Sequence, residues 1–207
     1  MPDDKSLILI GGGGHALVVA EAAALAGYGI AGFLDDDASA PLARGSPSCP
    51  HLEPLSELEG HAHRGCILAI GDIKFRRSLI GRLDPALLVT IIHPRAIVSP
   101  SASIGRGVYV GPAAVVHTRA IIDDHAILNS GCIIEHEARI GENSHIAPGA
   151  AIGGRAVIGA DTLIGLGARV LPEMRIGREC IIGTGAAVIR DVADRTRIVG
   201  VPARPMD

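Results

Sequence analysis

A histidine between two carboxylates is the strongest candidate for catalysis in this chain. The segment CIIEHE, residues 132–137, places Glu135, His136 and Glu137 in a row. A histidine can take a proton near neutral pH, and a carboxylate beside it stabilises the imidazolium that forms. Adjacent side chains of a strand point to opposite faces, so His136 and Glu137 can pair only where the backbone bends. The segment makes His136 a candidate general base assisted by Glu137; a solvated surface corner is the alternative that these residues leave open.

A second group of residues suits a nucleotide. Residues 11–16 have the spacing G-x-G-x-x-A, and three aspartates follow about twenty residues later, at 35–37. Glycines let a diphosphate approach the backbone, a helix N-terminus favours its negative charge, and a carboxylate at the next strand end can accept hydrogen bonds from a ribose or base. The spacing alone fits a tight turn or a dinucleotide site as well. The short segment before residue 96 suits a single nucleotide, which can carry a sugar.

Strands and helices alternate around this glycine-rich turn. Apolar runs predict strands at 6–10, 30–34, 66–70 and 87–92, and helical patterns occupy 16–26, roughly 55–60 and 73–83. Residues 38–54 are rich in Pro, Ser and Ala and are predicted to form a surface loop. The alternation predicts a small parallel sheet with helices on its faces. Residues 1–95 are therefore predicted to form an α/β, Rossmann-like domain.

A six-residue repeat follows and contains the EHE segment. From 96 to 191, sixteen consecutive hexads carry Ile, Val or Leu at the third position, and Ala fills ten of the first positions. This period predicts a prism in which each hexad supplies one short strand and one corner, so that three hexads make a coil of eighteen residues. Burial of each aliphatic side chain is worth roughly 1.5–3 kcal/mol. Glycine at the fourth position, as in IGRG and IGEN, is predicted to allow the tight corner. Residues 96–207 are predicted to form an all-β domain.

Composition excludes several classes of protein. The net charge of −3 at pH 7 suggests neither a nucleic-acid surface nor a basic membrane patch. The start MPDDKS lacks the features of a signal peptide, and no apolar run is long enough to cross a membrane, so a cytoplasmic protein is expected. The four cysteines form no CxxC pair. Cys132 and Cys180 occupy the small first position of their hexads, which predicts buried thiols rather than a disulfide framework or a zinc site.

Several segments together resemble one family of enzymes. They are LILIGGGGHA, FLDDD, LAIGDIKFR, IIHPRAIVSPSASIG, LNSGCIIEHEARIGENSHIAPGAAIGG and VGVPAR. The chain resembles the sialic acid O-acetyltransferases and the nucleotide-amino-sugar N-acetyltransferases, which include enzymes that acetylate the 4-amino group of UDP-linked bacillosamine precursors and of GDP-perosamine. The likeness spans nearly the whole chain. It implies a left-handed parallel β-helix and a homotrimer, with acetyl-CoA in the groove between neighbouring prisms.

The resemblance also implies roles for particular residues. It implies His136 as the general base, Glu137 as the carboxylate that raises its basicity, and Asn129 as a polar residue near the reacting group. Contacts to acetyl-CoA are implied at His145, Leu166 and Thr184. Contacts to the nucleotide sugar are implied at Gly13, Gly14, His15, Asp35, Asp36 and Gly71. Leu166 and Thr184 differ by eighteen residues, one full coil, so they stack on one side of the prism, where backbone amides can serve the cofactor.

We therefore expect an acetyl-CoA-dependent N-acetyltransferase that acts on a nucleotide-linked 4-amino-4,6-dideoxy sugar by direct attack, without a metal. The nucleotide (UDP, GDP or dTDP) and the sugar carbon that bears the amine stay open. One alternative is O-acetylation of sialic acid, the same chemistry on a weaker nucleophile.

Another alternative is a trimeric β-helix zinc enzyme of the carbonic-anhydrase type, which needs three converging histidines. His117, His125, His136 and His145 occupy four different hexad positions, and none stacks on another. A non-catalytic sensor of sugar nucleotides would leave the EHE segment without a role.

Overall fold

The chain forms two compact units, which divide between residues 94 and 95. The computed structural model describes residues 6–45, 49–61 and 64–206. The prediction about a signal peptide falls largely on residues 1–5, outside these ranges. No helix within them combines the length and the apolar character that a membrane span requires.

The first unit is built on a four-stranded parallel sheet. Its strands and α-helices are β1 (Ser6–Ile10), α1 (Gly14–Leu25), β2 (Gly29–Leu34), β3 (His51–Glu53), β4 (Gly65–Leu68), α2 (Ile73–Ile80) and β5 (Ile91–Ile92). Short 3-10 helices span Pro41–Arg44, Leu55–His61 and Pro85–Leu87. The sheet has the order β3-β2-β1-β4, and β5 lies outside it. Both inner strands, β1 and β2, pair with a parallel neighbour on each side, and β1 is the more buried of the two.

The first unit departs from the sequence prediction in two places. The strand β3 and the 3-10 helix Pro41–Arg44 lie inside the segment predicted to be a surface loop. The strand predicted at 87–92 is reduced to Ile91–Ile92 and a single bridge from Leu88 to Cys66. Both errors concern pieces of two to four residues, which are too short to show a period in the sequence.

The second unit is a left-handed β-helix. Each of the sixteen hexads contributes one two-residue strand, formed by its second and third positions. These strands are β6 (Ile97–Val98), β7 (Ser103–Ile104), β8 (Tyr109–Val110), β9 (Val115–Val116), β10 (Ile121–Ile122), β11 (Ile127–Leu128), β12 (Ile133–Ile134), β13 (Arg139–Ile140), β14 (His145–Ile146), β15 (Ala151–Ile152), β16 (Val157–Ile158), β17 (Leu163–Ile164), β18 (Arg169–Val170), β19 (Arg175–Ile176), β20 (Ile181–Ile182) and β21 (Ala187–Val188). The predicted period of one strand per hexad is confirmed.

The three faces of the prism are parallel sheets of every third strand. One face has the order β6-β9-β12-β15-β18-β21, the second β7-β10-β13-β16-β19, and the third contains β8-β11-β14-β17-β20. Partners differ by eighteen residues, as in the pairing of Ile134 with Ile152. After Asp191 the register shortens, and two final strands close this end: β22 (Arg197–Val199) pairs with β20, and β23 (Arg204–Pro205) runs antiparallel to β22.

The interior of the prism follows the hexad. The third-position residues from Val110 to Val188 are buried, while Val98 and Ile104 in the first coil are partly buried. Most first-position side chains are small because they lie close to the corners; Val108 and Met174 are the larger ones. Cys132 and Cys180 are fully buried, as predicted. Ser144 and Thr162 also occupy first positions. Each hydroxyl donates to a carbonyl and accepts an N–H from the next coil, which satisfies these buried polar groups.

Glycine at the fourth position acts through the space it leaves rather than through a left-handed backbone conformation. The left-handed backbone conformation falls on the sixth position of the hexads, including non-glycine residues such as Glu137 and Arg155 with φ of 60° and 59°. Fourth-position glycines have no such φ. A Cβ at Gly141 would instead lie 2.6 Å from the backbone nitrogen of Ala160 in the next coil. At Gly141 and at similar corners, crowding between coils therefore favours glycine, whereas other fourth positions such as Asn129 carry side chains.

Candidate active site

His136 and Glu137 meet at the corner that follows β12. The Nδ1 atom of His136 lies 3.5 Å from Oε2 of Glu137. This pairing of sequence neighbours requires a bend, and the φ of 60° at Glu137 supplies it. The imidazole is half-exposed, so its other ring nitrogen, Nε2, can be reached from outside. The corner therefore has the geometry of a base oriented by a carboxylate.

Two arginines share the carboxylate of Glu137. Arg119 NH2 lies 3.0 Å from Oε1, and Arg155 NH1 lies 4.0 Å from Oε2. These arginines precede and follow Glu137 by eighteen residues, at the same sixth position, and Arg155 also pairs with Glu173 one coil further on. This column of alternating charge was not predicted from the sequence. An eighteen-residue grid of the sixth positions contains the signal, because charges of opposite sign alternate along it.

Asn129 and His145 form a second pair. Asn129 Nδ2 lies 3.2 Å from His145 Nε2, and Asn129 Oδ1 accepts the N–H of Ser130 at 2.8 Å. An amide nitrogen can only donate, so Nε2 of His145 accepts in this contact and its proton resides on Nδ1. This neutral tautomer is assigned from the network of hydrogen bonds. The pair holds the His145 ring beside the corner that precedes β12.

Leu166 and Thr184 lie at the same corner as Asn129, one coil apart. Both occupy the fifth position of their hexads, whose N–H takes no part in the backbone hydrogen bonds between the described coils. At some other fifth positions this N–H donates to a side-chain oxygen, as that of Arg178 does to Asp194 Oδ1 at 3.0 Å. Within the described ranges, no backbone carbonyl accepts the N–H of Leu166 or Thr184. Their backbone amides are therefore suited to a ligand that runs along the prism.

The two pairs occupy different corners of one chain. Asn129 lies before strand β12, whereas His136 follows it, so the pairs are separated by the width of a face. The structure thus brings together His136 with Glu137, and Asn129 with His145, but it does not join the two pairs within a single chain.

Cys132 belongs to the same hexad as His136 but does not take part in its chemistry. The thiol is fully buried, and burial raises its pKa to about 12. Because the thiolate is the nucleophilic form, Cys132 is inert at neutral pH. The thiol of Cys66 in the first unit is similar, since burial raises its pKa to about 11.

The four consecutive glycines at the start of α1, residues 11–14, fall into two pairs with different constraints. A Cβ at Gly11 would lie 2.5 Å from Cγ1 of Ile70, and one at Gly12 would meet the ring of Phe33. Gly13 and Gly14 have nothing within 4 Å of such an atom. The fold therefore requires the first two glycines, whereas the second two present bare backbone to open space at the start of α1.

The aspartates after β2 bond to the chain itself. Asp35 Oδ2 accepts the N–H of Gly12 at 2.7 Å, and its Oδ1 accepts that of Asp37 at 2.9 Å. Asp36 Oδ1 accepts the N–H of Leu55 at 3.0 Å. Both residues thus hold loops at the carboxyl edge of the sheet, a role that the sequence reasoning missed.

His15 and Gly71 lie side by side at this edge. A Cβ on Gly71 would be 3.9 Å from that of His15. The structure therefore brings these two predicted residues together beside the glycine-rich turn. Over the described part of the chain, no three His, Cys, Asp or Glu side chains converge as metal ligands would.

Solved structures of other proteins have the same fold over nearly the whole of this chain. Residues 6–83 match the PglD N-terminal domain family. A mutant of perosamine N-acetyltransferase from Caulobacter crescentus, solved with CoA and GDP-perosamine, is 33% identical with a TM-score of 0.90, over 98% of this chain and 97% of that one. The acetyltransferase domain of PglB from Neisseria gonorrhoeae FA1090 is 34% identical with a TM-score of 0.89, over 98% and 100% of the two chains. WeeI from Acinetobacter baumannii AYE, 23% identical with a TM-score of 0.82 over 97% and 99%, shares the fold.

The fold and its likeness to these solved structures define a hexapeptide-repeat acetyltransferase. More narrowly, the chain belongs to the family of nucleotide-amino-sugar N-acetyltransferases. The resemblance to this family and the predicted fold class are confirmed.

Proposed function

We propose that this chain transfers the acetyl group of acetyl-CoA to the amine of a nucleotide-linked 4-amino-4,6-dideoxy sugar, with His136 as the general base. The chain is an acetyl-CoA-dependent N-acetyltransferase of nucleotide amino sugars. The observation that supports the assignment of the base is the 3.5 Å contact from His136 Nδ1 to Glu137 Oε2. With Nδ1 directed at a carboxylate, Nε2 is the nitrogen that can accept the proton of the amine.

The reaction is a direct transfer. The sugar nitrogen attacks the thioester carbonyl, a C–N bond forms, and His136 takes the proton from the nitrogen. The tetrahedral intermediate then collapses, the C–S bond breaks, and the proton passes to the departing thiolate of CoA. Glu137 stabilises the imidazolium in between, and a backbone N–H near His145 stabilises the oxyanion. The high pKa of Cys132 argues against an acyl-enzyme at this corner.

Acetyl-CoA is proposed to lie along the corner that carries His145, Leu166 and Thr184. The backbone N–H groups of Leu166 and Thr184 lie one coil apart and donate to no backbone carbonyl in the described ranges, so they can bond successive amides of a pantetheine arm. Asn129 holds the ring of His145 through the 3.2 Å contact. Binding both substrates in one orientation supplies much of the rate.

A homotrimer with active sites shared between two chains fits the separation of the two corners. The base of one chain and the cofactor corner of its neighbour would then line one groove. The face between these corners carries exposed aliphatic side chains at Ile97 and Ile133, which are 66% and 37% accessible in the single chain. Apolar side chains aligned on one face suit a contact between copies.

The first unit is proposed to bind the nucleotide. Gly13 and Gly14 offer backbone without side chains at the N-terminus of α1, which suits a diphosphate. Asp35, Asp36, His15 and Gly71 surround the same sheet edge.

A cytoplasmic location is proposed because the four cysteines are free thiols, as is usual in a reducing compartment.

A thiol-release assay tests this function. Acetyl-CoA is offered with UDP-, GDP- and dTDP-linked 4-amino and 3-amino sugars and with free sialic acid. We expect turnover of one nucleotide-linked 4-amino sugar, and we expect His136→Ala to lower kcat by about 10²- to 10⁴-fold. His117→Ala is the matched control, because His117 is a comparably exposed histidine at the same prism edge that faces Glu135 at 3.9 Å.

The control should keep normal turnover. Turnover of sialic acid alone would overturn the substrate assignment. An undiminished kcat in His136→Ala would remove His136 as the base.

A further inference from the structure

Gly154 lies directly against the ring of His136. It is the eighteenth residue after His136 and follows β15 on the same prism face as β12. A Cβ at position 154 would be 2.6 Å from Nε2, 2.8 Å from Cε1 and 3.2 Å from Cδ2 of the imidazole. All three nearest atoms belong to the proposed base. Real Cβ atoms do not approach other atoms this closely, so any side chain at 154 would displace the ring.

The backbone does not need glycine at this position. The φ of Gly154 lies outside the left-handed region, unlike that of Arg155, which follows it. The neighbours of Gly154 in the same column are Thr118, His136 and Pro172, all of which carry side chains. Gly154 also differs from the fourth-position glycines, whose missing side chains make room for the backbone of the next coil. The missing side chain of Gly154 makes room for the His136 ring.

We propose that Gly154 is a positioning residue for the acetyl transfer, because its bare Cα leaves the space in which the His136 ring presents Nε2 to the amine. This inference rests on the proposed role of His136. The ring is fixed from two sides: Glu137 faces Nδ1 at 3.5 Å, and the backbone of Gly154 lies beneath Nε2, Cε1 and Cδ2. A methyl group at 154 would push the ring from the carboxylate and cover Nε2 at the same time.

The displaced group is the end of a half-exposed side chain, so the ring can turn outward while the prism stays folded. Gly154→Ala should therefore change catalysis and leave folding intact. We expect kcat to fall by about 10²-fold, as for a displacement of roughly 1 Å in a reacting group. The KM values for acetyl-CoA and for the sugar nucleotide should stay near those of the natural chain, as should Tm.

Gly159→Ala is the matched control for backbone crowding. A Cβ at Gly159 would lie 2.6 Å from the backbone nitrogen of Arg178, at a different corner from His136. Because the obstacle is backbone, we expect this variant to have a lower Tm, while the protein that remains folded keeps its kcat. Both variants replace glycine with alanine. A loss of kcat without a loss of Tm in Gly154→Ala, and the reverse in Gly159→Ala, would distinguish an effect on the base from an effect on folding.

A double-mutant cycle identifies the group through which Gly154 acts. If Gly154 acts through the imidazole, adding Gly154→Ala to His136→Ala should lower kcat no further. A normal kcat in Gly154→Ala, together with an inactive His136→Ala, overturns the positioning role and leaves the base in place. A fall in Tm like that of Gly159→Ala, or an equal loss of kcat in both backgrounds, also overturns it. An active His136→Ala removes the proposed base and this inference with it.

Discussion

The prism and the α/β unit hold their functional residues in different ways. In the prism each residue contacts its equivalents eighteen residues away, and the same contact recurs in coil after coil, as Ile134 shows with Ile152. In the α/β unit the glycine-rich turn depends on individual long-range bonds, such as that from the N–H of Gly12 to Asp35. The prism therefore places a side chain by its column, whereas the α/β unit places a loop by one or two hydrogen bonds. This difference predicts how each region responds to substitution.

The largest expected effect is in the core of the prism. Ile152→Ala removes a fully buried side chain between the coils that contain Ile134 and Val170. We expect the free energy of unfolding to fall by about 2–5 kcal/mol, because closely packed neighbours cannot collapse into the cavity. Urea unfolding measures this loss.

Val157→Ala, in the outward second position of the next hexad, is the control and should cost clearly less. Equal losses at the two positions would show that the prism does not distribute its stability by hexad position.

A smaller effect is expected in the α/β unit. Asp35→Ala leaves the N–H groups of Gly12 and Asp37 without their acceptor. An unsatisfied, partly buried donor costs about 1–3 kcal/mol. Because Gly12 belongs to the glycine-rich turn, KM for the sugar nucleotide should rise while KM for acetyl-CoA stays normal. Steady-state kinetics and urea unfolding measure the two consequences.

Asp37→Ala is the control in the same loop. Its carboxylate accepts hydrogen bonds from the hydroxyl and the N–H of Ser39, two residues further on, and these bonds lower the pKa of Asp37. Its loss should change the KM for the sugar nucleotide less than Asp35→Ala does. A larger change in Asp37→Ala would contradict the view that one long-range bond holds this turn.

The repeated contacts of the prism also make its strands easier to predict from the sequence than those of the α/β unit. The hexads predicted every strand from Ile97 to Val188, since burial at a fixed period repeats one physical constraint sixteen times. The strand at Ser6–Ile10 and the helix that follows it were also predicted, because each is long enough to show a pattern. The strand β3 was missed, since three residues in a segment rich in turn-forming residues carry no period.

The candidate site divides in a similar way. The pairing of His136 with Glu137 could be predicted because both residues interrupt a regular repeat with side chains that can do chemistry. The contact of Gly154 with the His136 ring could not be predicted, since glycine is common in hexads and most hexad glycines that are crowded lie against backbone instead. The hydrogen bonds that Asp35 accepts from Gly12 and Asp37 could not be predicted for another reason. A carboxylate at a strand end is equally typical of ligand binding and of loop closure.

The smallest expected effect sharpens the comparison within the prism itself. Arg119 pairs with Glu137 at 3.0 Å, yet its side chain is 68% exposed, so water and salt weaken the attraction. A double-mutant cycle of Arg119→Gln and Glu137→Gln, measured by urea unfolding, should give a coupling energy of about 0–1 kcal/mol that shrinks in high salt. Arg119→Gln should also keep most of the kcat, because Glu137 still faces both His136 and Arg155. A loss of kcat as large as that of His136→Ala would place Arg119 in the catalytic apparatus. The ion pairs of Arg119 and Arg155 with Glu137 would then contribute to catalysis, even though each pair adds little to stability.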